Sequence, residues 1–333
     1  MGYKSNTVIL NKTGFDLIQN QSRNLFEVNK VYTIKAQGLL GLDVTEDTLI
    51  YTRKAIRYTN PNQNANVSKY RHLLDPCWKK ITDLKKGDYI GFPILQTSKN
   101  IYQINEEEAW LIGRYIADGY INNSRKNKHS KARNQRVVFS IGTHKLDIFL
   151  NHLHTYHPCL VDYGTTTRID ICKKRLKELC ELCGRTAYEK EIPKVFLDLP
   201  VNLLSELLEG YLAGDGCKNK ANGENTASTI SPKLAVGLQM ALHKVKQIPV
   251  KIYCQKREGA TRFIKEKEIK QSHDLYYIYW LDRITKQSLG VKLGNYIWQP
   301  FKSLEEIDGI TETYNYCGGL VNGIFAKQEV KKS

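Results

Sequence analysis

Over the first 98 residues apolar positions come in short β-like runs, at 8–10, 25–34, 39–44 and 49–51. They are broken by Asn11-Lys12-Thr13-Gly14 and by charged turns. Short apolar runs bounded by such breaks predict short strands. Trp78, Ile81 and Leu84 lead into a Lys86-Gly87-Asp88 turn and a further strand over 89–93. The polar stretch 59–68, TNPNQNANVS, reads as an exposed loop. No helix longer than two turns is predicted here, so this part reads as an all-β unit.

The pattern changes at Ile104-Asn105. Asn105 is a helix cap, the three glutamates after it fill the first turn, and Glu108 stands where a capping box closes. The helix runs to Asp118 and stops at Gly119. Residues 135–141 alternate as a strand. From Thr143 a helix is predicted, with Leu146, Phe149, Leu150 and Leu153 at helical spacing, ending near Pro158. A strand over 167–171 and a helix ending by Gly184 follow. The second half repeats this order: a helix over 203–215 stops at Gly216, and Ser231-Pro232 opens the next with a cap and an N-terminal proline. Leu234, Leu238, Ala241 and Leu242 form its stripe, and strands follow over 250–254 and 275–280.

Two segments match each other, LIGRYIADG at 111–119 and LEGYLAGDG at 208–216. Both end in an aspartate and a glycine, so Asp118 and Asp215 fall at helix carboxyl ends, where the macrodipole disfavours negative charge. Paired acids in that setting point to a divalent metal. Their spacing of 97 positions predicts an α/β repeat of about 100 residues. Gly113 and Ala117, like Gly210 and Gly214, lie four apart and share a helix face, which permits close approach of two helices and convergence of the two aspartates.

Composition narrows the partner. The 333 residues carry 50 Lys plus Arg against 34 Asp plus Glu, a formal charge of +16, which favours a polyanion. No apolar run of about 18 residues is present, so no transmembrane helix is expected. The start, MGYKSNTVILNKTG, lacks the apolar stretch of a signal peptide. A cytoplasmic or nucleoid-associated protein is expected. Cys180 and Cys183 form a CxxC with Cys172 nearby, but no second pair has ligand spacing, so reduced structural thiols are expected rather than zinc.

The paired segments resemble the motifs of LAGLIDADG homing endonucleases, over about residues 102–300. Lys190-Glu191-Ile192-Pro193 resembles the Lys-x-Ile-Pro segment between the two motifs of the intein-associated branch. Residues 229–239, TISPKLAVGLQ, resemble the segment after the second. The flanks at 7–14, 44–53, 78–93 and 314–328 resemble the Hint fold of inteins. The expected fold class is α+β: a pseudo-symmetric two-repeat LAGLIDADG endonuclease fold inserted in a mostly β Hint-like domain. Residues 1–98 and 308–328 would form the Hint-like domain, and 99–307 the endonuclease, with repeats over about 102–198 and 199–300. The splicing residues depart from the pattern. Gly2 stands where a nucleophile is expected, Thr48 replaces the histidine, and Lys327-Gln328 followed by Glu329 replaces the terminal His-Asn and nucleophile. Glycine has no thiol or hydroxyl for acyl transfer, so self-splicing is not expected.

The resemblance implies a monomeric, site-specific endonuclease that makes double-strand breaks in a long, near-palindromic DNA target. Asp118 and Asp215 would hold Mg²⁺, with Mn²⁺ as a substitute, and Lys190 would act on the water network or the phosphate. A second lysine is expected, and Lys244, Lys251 and Lys265 are not separable by chemistry. DNA contacts are expected from Arg136, Arg168, Lys251 and Gln255 on the strands. Arg125, Lys126, Lys128, Lys131 and Arg133 make a basic loop suited to phosphates. The rival readings are an intron RNA maturase, a DNA-binding protein without cleavage, and a self-splicing element.

Overall fold

In the computed structural model the runs at 31–34, 42–44 and 49–51 and the strand over 89–93 belong to one ten-stranded sheet, while residues 8–11 pair with 14–17 in a separate two-stranded sheet. The structure describes residues 8–11, 14–17, 31–46, 48–58, 70–122, 136–264, 267–282, 290–307, 319–321 and 324–328. The chain divides into two units, Met1–Ile94 with Gln247–Ile252 and Leu281–Ser333, and Leu95–Lys246 with Tyr253–Trp280.

In the first unit the sheet path runs Gly319–Val321, Ile324–Gln328, Thr48–Tyr58, Asp88–Pro93, Tyr296–Ile307, Val31–Ala36, Leu42–Thr45. Ile34, Ile50, Ile81, Ile90, Phe92 and Ile297 are fully buried in its core. Each such side chain contributes about 1.5–3 kcal/mol by leaving water. The long strand Tyr296–Ile307 pairs with Asp88–Pro93 over its first half and with Val31–Ala36 over its second, with a register shift between Phe301 and Ser303. That strand therefore belongs to this unit, whereas the motif-based boundary placed residues up to 307 with the endonuclease. At the other end of the sheet, Gln328 is the register partner of Thr48.

The second unit carries six helices among the described residues: α1 (Glu106–Asp118), α2 (Leu146–Leu150), α3 (Lys174–Glu181), α4 (Lys194–Leu197), α5 (Val201–Asp215) and α6 (Pro232–Lys246). Asn105 Oδ1 accepts the Glu108 N–H at 2.8 Å, and the Glu108 carboxylate accepts the Asn105 N–H at 3.3 Å, closing the capping box. Ser231 Oγ accepts the Leu234 N–H at 3.2 Å and caps α6.

The helix expected from Thr143 to near Pro158 is much shorter, a 3₁₀ turn at Thr143–Lys145 followed by α2. The cause is non-local. The buried carboxylate of Glu107, on α1, accepts the backbone N–H groups of His154, Thr155 and Tyr156. Those donors bond a carboxylate instead of preceding carbonyls, and the helix ends. Burial alone would raise the Glu107 pKa, but these bonds, led by the Thr155 hydroxyl, lower it.

Two four-stranded sheets accompany the helices. One runs in the order Cys159–Asp162, Thr166–Ile171, Arg136–Gly142, Gly119–Asn122, and the other Gly216–Lys218, Glu224–Thr229, Leu275–Leu281, Val250–Gln255. Each motif helix thus passes directly into an edge strand at Gly119 or Gly216, which fixes where its terminal aspartate points. Among the described residues no helix is long and apolar enough to cross a membrane.

Candidate active site

The glycines of the matching segments bring α1 and α5 into backbone contact. A Cβ on Gly113 would lie 1.8 Å from the Leu207 carbonyl oxygen, and one on Gly210 would lie 2.0 Å from that of Trp110. The two contacts are reciprocal, since Gly113 and Trp110 correspond to Gly210 and Leu207 at the 97-residue offset. No side chain fits at either place. Tyr115 and Tyr211 are fully buried on these helices, which makes them packing residues and not exposed stacking platforms.

The carboxyl ends of the helices bring the two aspartates together. A Cβ on Gly214 would lie 2.7 Å from Asp118 Oδ2 and 2.5 Å from Ala117 Cβ, so the Asp118 side chain lies against the last turn of α5. Asp118 is paired with Arg114, Nη2 to Oδ2, at 2.7 Å. Desolvation, then the nearby Asp118 charge, pushes the Asp215 pKa up to about 6, while Arg114 and Lys145 oppose the shift. A carboxylate raised partly by its neighbour's charge is the signature of two acids sharing one small space.

Each helix end is held by a lysine. Lys190 is buried and donates from Nζ to the Tyr115 and Gly119 carbonyls at 2.7 and 3.2 Å, with Nζ 3.0 Å from the centre of the Tyr115 ring. Burial lowers its pKa to about 7. Its own backbone carbonyl accepts the Ser231 hydroxyl at 2.6 Å, tying the Lys190 segment to the start of α6. Lys145 does the same at α5, donating to the Ala213 and Gly214 carbonyls at 3.1 and 3.0 Å. Cations here offset the dipole that disfavours the aspartates.

Sequence reasoning missed both Lys145 and Arg114. Lys145 is far from α5 in sequence and follows no motif. Arg114 lies inside the first motif, where the second has Tyr211, and a charge within an apolar helix face was the available signal. Lys244, one of the unranked lysines, donates to the carbonyls of Thr97, Leu197 and Leu199 at 2.5, 2.8 and 2.7 Å and serves as a buried brace.

The expected DNA contacts are dispersed. Arg136 and Arg168 both bond Asp170, Arg168 through Nε at 2.8 Å. Gln255 accepts a hydrogen bond from Arg257 at 2.7 Å, and Lys251 is exposed. Arg125, Lys126, Lys128, Lys131, Arg133 and Lys265 lie outside the described residues, as do Gly2 and Glu329. Cys180 and Cys183 are buried free thiols whose pKa values burial raises. His243 is buried, with its pKa lowered by desolvation to about 3.

Among the described residues no group of three or more His, Cys, Asp or Glu side chains gathers as a metal site. The two aspartates nonetheless offer hard oxygen donors, a donor set that suits Mg²⁺ when substrate phosphate and water complete the shell.

No family model matches the chain. It is 25% identical over 179 residues to a DNA polymerase of Thermococcus sp. (strain GE8), covering 52% of this chain and 10% of that protein. It is 29% identical over 143 residues to the replication factor C small subunit of Methanocaldococcus jannaschii, covering 36% of this chain and 7% of that protein. The matched stretches thus span a tenth or less of these relatives. Among solved structures the chain is distantly similar to the homing endonuclease I-DmoI in complex with DNA and Mn, with 12% identity, a TM-score of 0.35, and coverage of 52% of this chain and 88% of that one. It is similarly distant from the N-terminal LAGLIDADG domain of DUF199/WhiA, with 13% identity, a TM-score of 0.30, and coverage of 55% and 87%.

Proposed function

We propose that the chain is a monomeric, metal-dependent DNA endonuclease of the LAGLIDADG type, with Asp118 and Asp215 as its paired metal-binding carboxylates. The observation that carries this reading is their convergence at the ends of two helices in reciprocal glycine contact. A structural helix pair has no need of two acids facing each other against both macrodipoles.

Mg²⁺, or Mn²⁺ in its place, would neutralise phosphate charge and lower the pKa of an attacking water. Asp118 and Asp215 bind and orient from opposite sides of the contact, so each contributes to both strand cuts. Lys190 and Lys145 act as positioning residues, holding the helix ends on which the aspartates stand. Arg136, Arg168, Lys251 and Gln255 contact DNA from the strands, and Arg125, Lys126, Lys128, Lys131 and Arg133 contact phosphates in this reading. The two-repeat arrangement is supported by the 97-residue correspondence of the glycine contacts.

The first unit, in the same reading, is a Hint-like domain without splicing activity. The pairing of Gln328 opposite Thr48 supports it, because these are the terminal and histidine positions of the resemblance.

The test is incubation of the purified chain with randomised duplex DNA and Mg²⁺, beside Asp118→Asn, followed by sequencing of cleaved ends. Reproducible double-strand cuts at one long site, lost in the variant, are expected. No cuts above the variant's background would refute the nuclease reading and favour a binding-only role.

A further inference from the structure

The chemistry above does not use the buried guanidinium of Arg114. Its residue is 2% exposed, and its Nη2 bonds Asp118 Oδ2 at 2.7 Å. Nη1 is also buried and donates to no acceptor among the described residues. A Cβ on Gly214 would lie 2.4 Å from Nη1 and 2.7 Å from Asp118 Oδ2, so the missing side chain at 214 makes room for the guanidinium and the carboxylate together.

As a device for stability this arrangement is poor. Taking a guanidinium out of water is costly unless its donors are satisfied, and one is not. An aspartate following its arginine by four residues in the last turn also stands against the macrodipole. At the 97-residue offset the place of Arg114 is taken by Tyr211, fully buried and uncharged, whose hydroxyl likewise has no partner among the described residues. One helix therefore supplies a cation to the site and the other does not. Both aspartates feel that cation, while only Asp118 is bonded to it.

We propose that Arg114 is a resident counter-cation of the Asp118–Asp215 pair, holding Asp118 in place and competing with a divalent cation for Asp118 Oδ2. The proposal rests on the reading of the two aspartates as metal ligands. The guanidinium takes one lone pair of Asp118 Oδ2 and sets a positive charge beside the entering ion, so the pairing and the metal oppose each other, and the coupling is reciprocal.

The test is a Ca²⁺ titration of the full chain by calorimetry, with melting temperature followed in parallel, at pH 8. Ca²⁺ is chosen as a hard cation that takes oxygen ligands. Arg114→Met keeps the aliphatic volume and removes the charge; it should bind Ca²⁺ at least about tenfold more tightly than wild type. Arg114→Lys keeps the charge and should stay close to wild type, while Asp118→Asn should lose binding. Equal affinity in wild type and Arg114→Met overturns the counter-cation while leaving the metal reading intact, and so does a matching gain in Arg114→Lys. Absence of Ca²⁺ binding in wild type and Arg114→Met alike overturns the proposal, while the metal reading, whose shell the substrate phosphate completes, stands or falls on the cleavage test. If circular dichroism finds Arg114→Met unfolded, Arg114→Gln is held to the same criteria.

Discussion

Replacing Gly113 with alanine puts the helix contact to a direct test, because two principles give opposite signs. On intrinsic propensity alone, Gly→Ala inside a helix stabilises by about 1 kcal/mol. In this structure the new Cβ would sit 1.8 Å from the Leu207 carbonyl oxygen. A carbon–oxygen contact needs about 3.3 Å, so the helices must separate by roughly 1.5 Å. The obstacle is backbone and cannot rotate away, which places the cost at or beyond the upper end of the usual 1–3 kcal/mol for overpacking. The net expectation is a loss of about 2 kcal/mol or more after the propensity gain. Urea unfolding of the full chain measures it, with Gly210→Ala as the reciprocal variant and Gly237→Ala as the control. At Gly237 the added Cβ would meet Ile192 Cβ at 3.2 Å, so a change within about 1 kcal/mol is expected there. A Gly113→Ala protein as stable as wild type, or more so, would refute the contact.

Gly214→Ala should cost less, roughly 1–2 kcal/mol, because Arg114 Nη1 and Asp118 Oδ2, two of the three atoms the methyl meets, end movable side chains; differential scanning calorimetry would detect it, while cleavage should fall much further than stability. Ser231→Ala removes the α6 cap and the donor to the Lys190 carbonyl, and should lower the urea-derived stability by about 1 kcal/mol or slightly more. His243 has a folded pKa of about 3 against an ordinary 6.5, so the unfolded chain binds a proton that the folded chain refuses as pH falls. Its contribution is present above pH 6.5 and is lost progressively below it; His243→Leu should therefore show a smaller drop in urea midpoint between about pH 7 and pH 4.5 than wild type.

What could be read from the sequence was set by local rules. Asn105 with Glu108, and Ser231 before Pro232, specify helix starts within four residues, and both caps form. Gly113 and Gly210 were legible because only a missing side chain admits a backbone oxygen that close. The features that escaped notice depend on distant partners. Glu107 ends the helix after Thr143 by taking amides some 47 residues on, and nothing near His154 signals it. Lys145 reaches α5 across 68 residues. The strand Tyr296–Ile307 joins the first unit through pairing with residues about 200 or more positions earlier, beyond the reach of a motif-based boundary.

In the proposed function Asp118 and Asp215 form one metal-dependent cleavage site. Its most direct test compares wild type, Asp118→Asn and Asp215→Asn for Mg²⁺-dependent cutting of a randomised duplex library, scoring the two strands separately. Wild type should make double-strand cuts at one long site, and each single variant should lose both strand cuts. Full double-strand cutting by either variant, or no Mg²⁺-dependent cutting by wild type, would contradict this reading.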